Sequence, residues 1–163
     1  MFCFFLIKSQ SSGLIIDYNI IDNVNITQQG PNVSIVTPVG TAGNTNGTGA
    51  DPVDRYYNSI RYQVVYTAAE LTAAGFTAGT INSLAFDVTT PATTTLTDYA
   101  ISMKNTTVTA LTTTFETGLT QVYFNAAYTP SALTGFANNT INLTPFNWDG
   151  TSNVVIDICF NNG

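Results

Sequence analysis

The stretch IRYQVVYTAAELTAAGFTAGTINSLAFDV, residues 60–88, decides the fold. It opens on Ile60 to Tyr66, a run of β-branched and aromatic residues that fits a pleated strand. Thr67 then stands three residues before Glu70, the spacing of a capping box in which each side chain satisfies the other's backbone N–H. This predicts a helix near residues 68–74 that stops at Gly75, a natural residue for a left-handed helix exit. Two turns of helix do not persist alone in water. The helix must therefore pack on a sheet, through Leu71 and Phe76. From Ile81 to Val88 the period returns to two. Leu84, Phe86 and Val88 form the expected core face, and Ile81, Ser83, Ala85 and Asp87 the other.

Working outward, the same texture recurs with no second helix. Gly13 to Thr27 reads as one or two strands. Thr37 to Asn58 collects Gly, Pro, Asn and Asp without apolar periodicity and reads as a long loop. Residues 89–97 read as a polar connection, and Tyr99, Ile101 and Met103 alternate with Ala100, Ser102 and Lys104. Thr120 to Tyr128, Gly135 to Leu143 and Asn153 to Phe160 are further strands. Asp149-Gly150 is a hairpin-turn signal. In the last strand Val154, Ile156 and Ile158 alternate with Val155, Asp157 and Cys159. Short strands separated by turns, without helical crossovers, read as an all-β antiparallel sandwich or barrel rather than a parallel sheet; the sandwich is the expected one of the two.

Composition agrees. Apolar residues make up 44 % of the 163 residues, but charged residues only 9 %, against roughly 25 % in an ordinary soluble domain. Thr, Asn and Ser supply the polarity. The net charge is −6, with four basic residues, Lys8, Arg55, Arg61 and Lys104, scattered along the chain. Such a chain has no basic footprint for nucleic acid and no attraction to anionic membranes.

The expected organisation follows. Residues 1–10 are a signal-peptide remnant ending near Ser9, or alternatively a first strand over Phe2 to Ile7; the run is too short to span a bilayer. Residues 11–37 form an N-terminal strand segment, 38–58 a loop or linker and 59–163 the sandwich domain. Asn161-Asn162-Gly163 resembles the turn of a hairpin whose second strand is missing, so the sandwich is expected to lack its last strand or strands. Cys3 and Cys159 are the two cysteines. Once Cys3 is processed away, Cys159 reads as a buried thiol or as one half of an absent pair.

The chain has no histidine. This removes Ser-His-Asp and Cys-His nucleophile arrangements and the commonest zinc ligand sets. Glu70 and Glu116 are the only glutamates. A paired-carboxylate glycosidase is disfavoured, because the helix cap explains Glu70 and a solvated turn before Gly118 explains Glu116. No catalytic residue and no cofactor site is expected. Calcium is the one cation with candidates: Asp149 in the loop Asn147 to Asn153, and Asp51 and Asp54 in the long loop. Calcium wants 6–8 oxygens, and the first loop offers a single carboxylate. Trp148 and Tyr57 are candidate rings for stacking on a sugar; the other reading of Trp148 is a core aromatic beside the turn.

The segments YQVVYTAAELTAAGFTAGTINSLAFDV (62–88), ISMKNT (101–106), FETGLTQVYFNAAYT (115–129) and FNWDGTSNVVIDICF (146–160), taken in order, resemble the jelly-roll-like modules of large secreted Bacteroidetes proteins, many exported by the type IX route. The resemblance covers about the last two-thirds of the chain. It implies a secreted or cell-surface location, without a shared catalytic set. The chain is thus expected to be a non-catalytic structural or adhesive module of a larger protein, its partners a glycan or neighbouring domains. The alternatives are a carbohydrate-binding accessory module of a secreted enzyme and a subunit of an extracellular filament.

Overall fold

The computed structural model of the chain describes residues 24–29, 34–39, 52–53, 58–86, 88 and 90–163. Eight strands are present: β1 (Val24–Gln29), β2 (Ser34–Val39), β3 (Ser59–Tyr66), β4 (Gly79–Phe86), β5 (Leu96–Thr106), β6 (Thr120–Tyr128), β7 (Thr140–Trp148) and β8 (Asn153–Asn161). One helix, α1 (Ala68–Ala73), joins β3 to β4, and a single 3-10 turn spans Phe136–Asn138.

The strands form two four-stranded sheets, ordered β2-β1-β4-β7 and β3-β8-β5-β6. All the ladders are antiparallel. Only β1 to β2 and β5 to β6 are hairpins within one sheet; every other step carries the chain to the opposite sheet. This winding makes a jelly-roll-like sandwich; the two antiparallel sheets answer the all-β sandwich expected. The core lies between the sheets. Ile81, Leu84, Leu96, Tyr99, Ile101, Met103, Val154, Ile158 and Phe160 are fully buried there.

Helix α1 forms as its sequence predicts. Thr67 Oγ1 accepts the Glu70 N–H, and Glu70 Oε2 accepts the Thr67 N–H at 2.7 Å. A cap of this kind contributes about 1 kcal/mol. Gly75 follows at φ +93°, and Leu71 and Phe76 are buried in the core.

Four expectations need correction. First, Asp149-Gly150 is not a hairpin turn. β7 pairs with β4, and β8 pairs with β3 and β5, so residues 149–152 are a corner between sheets. Strand β8 sits between two neighbours and is buried along nearly its whole length, whereas β7 is an edge strand with one buried face. Second, Ile81 is not opposite in sense to Leu84 and Phe86. Gln28 pairs with Ile81 while Thr27 pairs with Ser83, so Asn82 is an extra residue that resets the alternation.

Third, the polar connection before β5 ends earlier than its threonines suggest. Leu96 is fully buried and starts the strand, Thr97 belongs to it, and Asp98 within it takes φ +53°. Fourth, Gly135 to Leu143 is not one strand. Gly135 turns at φ +83° into the 3-10 turn, and β7 begins at Thr140 and continues through Pro145 to Trp148. Proline is tolerated there because β7 is an edge strand whose register slips beside it, from Ile81–Phe146 to Ser83–Asn142.

β1 coincides with the end of the Gly13 to Thr27 reading, and β2 runs two residues past the boundary drawn at 37. Residues 1–23, with Cys3, lie outside the described residues.

Candidate functional site

Three places gather chemistry-bearing side chains. The first is the corner after β7. Trp148 is 2 % exposed, and its indole N–H donates to the Ser152 carbonyl at 2.7 Å. The ring is core, held by the turn beside it, and is closed to a sugar. Asp149 organises the same turn. Its Oδ1 accepts the Thr151 and Ser152 N–H groups at 2.8 and 2.6 Å, and its Oδ2 accepts the Ser152 hydroxyl. These hydrogen bonds, the Ser152 hydroxyl first, lower its pKa to about 2. Both oxygens take part in the hydrogen bonds of the turn, a structural role for Asp149. Among the described residues no three carboxylates or cysteines converge as a metal site. Asp51, Asp54 and Tyr57 lie outside the described residues.

Gly150 completes this corner at φ +81°, where a Cβ would come within 2.9 Å of the Ala78 Cβ. A Gly150→Ala variant is therefore expected to lose about 1–3 kcal/mol, read as a lower denaturant midpoint.

The second place is the outer face of the sheet containing β3, β8 and β5. Asp157 of β8 is buried there, 5 % exposed. Arg61 Nε donates to its Oδ2 at 2.8 Å and Gln63 Nε2 at 2.5 Å. Gln63 also binds Glu116 twice: its Nε2 donates to the Glu116 carbonyl at 2.9 Å, and its Oε1 accepts the Glu116 N–H at 2.8 Å. Lys104 Nζ donates to Glu116 Oε2 at 2.7 Å and to the Thr117 carbonyl at 2.9 Å. The Arg61 guanidinium lies 4.6 Å over the Phe115 ring. Asn153 Nδ2 donates to the Val108 carbonyl. The chain between β5 and β6 is thereby clamped over this face. The cover explains why Val155, Asp157 and Cys159 are buried although they alternate with the residues facing the core. Glu116 is thus a half-buried ion-pair partner rather than a solvated turn residue.

Burial pushes the Asp157 carboxyl above its ordinary value, and the opposing pull of Gln63 and Arg61 does not reverse this. Desolvation wins over the ion pair, as is usual for a buried carboxylate. The folded state then holds this proton more tightly than the unfolded state does. Asp157 favours folding most at low pH, and its contribution declines as pH rises from the ordinary aspartate value of 3.8 through the raised folded value. An Asp157→Asn variant lacks that decline. Denaturant midpoints taken across this window are expected to fall for the natural chain relative to the variant as pH rises.

The third place is an aromatic cluster at the β6 edge. Tyr99 and Tyr128 stack with centroids 4.5 Å apart, and Tyr123 meets each edge-on at 6.2 Å. Tyr99 is fully buried, and its hydroxyl has no hydrogen-bond partner among the described residues. Tyr123 and Tyr128 are half-buried, with Asn125 Nδ2 at 3.5 Å from the Tyr123 hydroxyl. Burial, then the neighbouring Tyr123, pushes the Tyr128 pKa up to about 12. This cluster was not singled out in the sequence. Its signal is the spacing of Tyr123 and Tyr128 on one strand opposite Tyr99, visible only once β5 and β6 are paired.

No family model, curated protein or solved structure matches the chain. Among the described residues no helix is long and apolar enough to cross a membrane.

Proposed function

We propose that the chain is a non-catalytic module of a larger secreted surface protein, structural or adhesive in role. The observation that carries this reading is the use made of its acidic groups. Glu70 closes a helix cap, Asp149 ties a corner, Glu116 pairs with Lys104, and Asp157 sits under a clamped segment. Glu70 and Asp149 hold backbone N–H groups, and Glu116 and Asp157 hold side chains of neighbouring elements, so each of these four carboxylates has a structural partner. The low charge, the Thr- and Asn-rich composition and the resemblance to secreted Bacteroidetes modules support a location outside the cell.

One observation favours a second reading, a carbohydrate-binding accessory module. Tyr123 and Tyr128 bring aromatic rings to the surface beside the Asn125 amide, and uncharged rings with amides are what a sugar stacks on and hydrogen-bonds to. The purified chain should be assayed against panels of glycans and peptides for both turnover and binding. The first reading expects no turnover of any glycan or peptide. Glycan binding that Tyr128→Ala abolishes would favour the second reading, and hydrolysis of any substrate would overturn both.

A further inference from the structure

The segment between β5 and β6 is attached to the sandwich by side chains. Among the described residues no backbone-to-backbone hydrogen bond ties residues 107–117 to a neighbouring strand. Near one end the Asn153 amide donates to the Val108 carbonyl at 2.8 Å. At the other end Gln63 holds the Glu116 N–H and carbonyl, Lys104 holds the Glu116 carboxylate and the Thr117 carbonyl, and Arg61 lies over the Phe115 ring. Between these anchors Thr109, Ala110 and Thr112 to Thr114 are exposed, and the Thr114 N–H donates to Thr112 Oγ1 within the segment itself.

No residue from 107 to 119 is fully buried, and none belongs to the core between the sheets. The residues beneath are the reverse: Gln63, Val155, Asp157 and Cys159 are all buried. Lifting the segment therefore breaks a handful of polar contacts and leaves the apolar packing of the two sheets in place. Burial of that core is the main force holding the fold, so the segment can leave at far less cost than global unfolding.

We infer that residues 107–117 are a strap that swings off the outer face of β3, β8 and β5 as one unit while both sheets stay folded, with Gln63 and Lys104 as its catch at Glu116. The strap stays tethered where β5 ends at Thr106 and β6 begins at Thr120. Its opening turns the strip of β8 that carries Val155 and Asp157 from interior into surface. This inference goes beyond the module reading and does not depend on it.

The chain supplies its own probe. Glu70 and Glu116 are the only glutamates, so a glutamate-specific protease has one site in helix α1 and one in the strap. Cutting after Glu70 requires Leu71, fully buried, to leave the core. The folded full-length chain is expected to be cut after Glu116 first. Below the unfolding transition that rate should rise only slightly with urea, because opening the strap exposes little surface, and it tracks the population of the open form. Cutting after Glu70 should rise as steeply as global unfolding followed by Trp148 emission. Lys104→Met removes part of the catch and should speed cutting after Glu116 about tenfold with the Glu70 rate unchanged, whereas Lys104→Arg should stay near the natural rate. If cutting after Glu116 in the natural chain waits for global unfolding, or shares its steep urea dependence, the inference is overturned without recourse to any variant. A Lys104→Met chain that leaves the Glu116 rate unchanged, or speeds both sites equally, would also overturn it.

Discussion

Replacing Trp148 by alanine is expected to cost about 3–5 kcal/mol of folding stability, the range for truncating a buried aromatic. In a domain of this size each kcal/mol moves the melting temperature by about 2–4 °C. The argument starts from position. Trp148 ends β7, an edge strand, at the corner where the chain crosses to the central strand β8. The ring is 2 % exposed and belongs to the core between the sheets. Its N–H is satisfied by the Ser152 carbonyl across the corner. Alanine would leave a cavity and an unpaired carbonyl together. Phenylalanine separates the two effects: it fills most of the space but leaves Ser152 unpaired, and should cost about 1–3 kcal/mol. As the sole tryptophan, it also reports its own environment. Emission should be that of an apolar site in the folded chain and shift to the red on unfolding. A red-shifted, readily quenched emission in the folded chain would show that the ring is not buried, and would return it to the set of exposed stacking aromatics.

The tryptophan also shows which level of description the sequence supports. The strand-turn-helix-strand reading of residues 60–88 transfers to the structure nearly residue for residue, because each piece is decided by near neighbours. Ile60 to Tyr66 alternates, Thr67 and Glu70 cap each other, and Gly75 supplies the left-handed exit. What depends on partners distant in sequence was not legible. Asp149-Gly150 has the local signature of a hairpin, yet whether the next strand pairs with the last or crosses to the other sheet is settled by burial on both faces of β8. The bulge at Asn82 leaves no trace in composition, and it reverses the side on which Ile81 falls. The polar cluster was hidden for the same reason. Asp157 follows Ile156 as one more member of an alternating strand. Only the pairing of β3 with β8 sets Arg61 and Gln63 beside it, and only the segment between β5 and β6 turns that face into an interior.

Gln63 is the pivot of that covered face, and Gln63→Leu is expected to be nearly as costly as the loss of Trp148. Leucine approximates the volume but removes three hydrogen bonds. Two of them hold the Glu116 backbone in the manner of a strand partner, and the third supports a buried carboxylate. Asp157 would keep only Arg61, itself partly exposed. Removing one partner of a buried polar group leaves the other unsatisfied, at about 1–3 kcal/mol for each group so orphaned. The expected signature is local as well as global. The Glu116 amide should lose hydrogen-exchange protection before the core strands do, because the clamp over β3 and β8 opens first. A second substitution distinguishes this account from simple loss of packing. In Gln63→Leu/Asp157→Leu the orphaned carboxylate is gone, so the double variant should be more stable than the sum of the single losses predicts. Strict additivity would mean that Gln63 and Asp157 act independently, and that the segment between β5 and β6 is held by something other than this network.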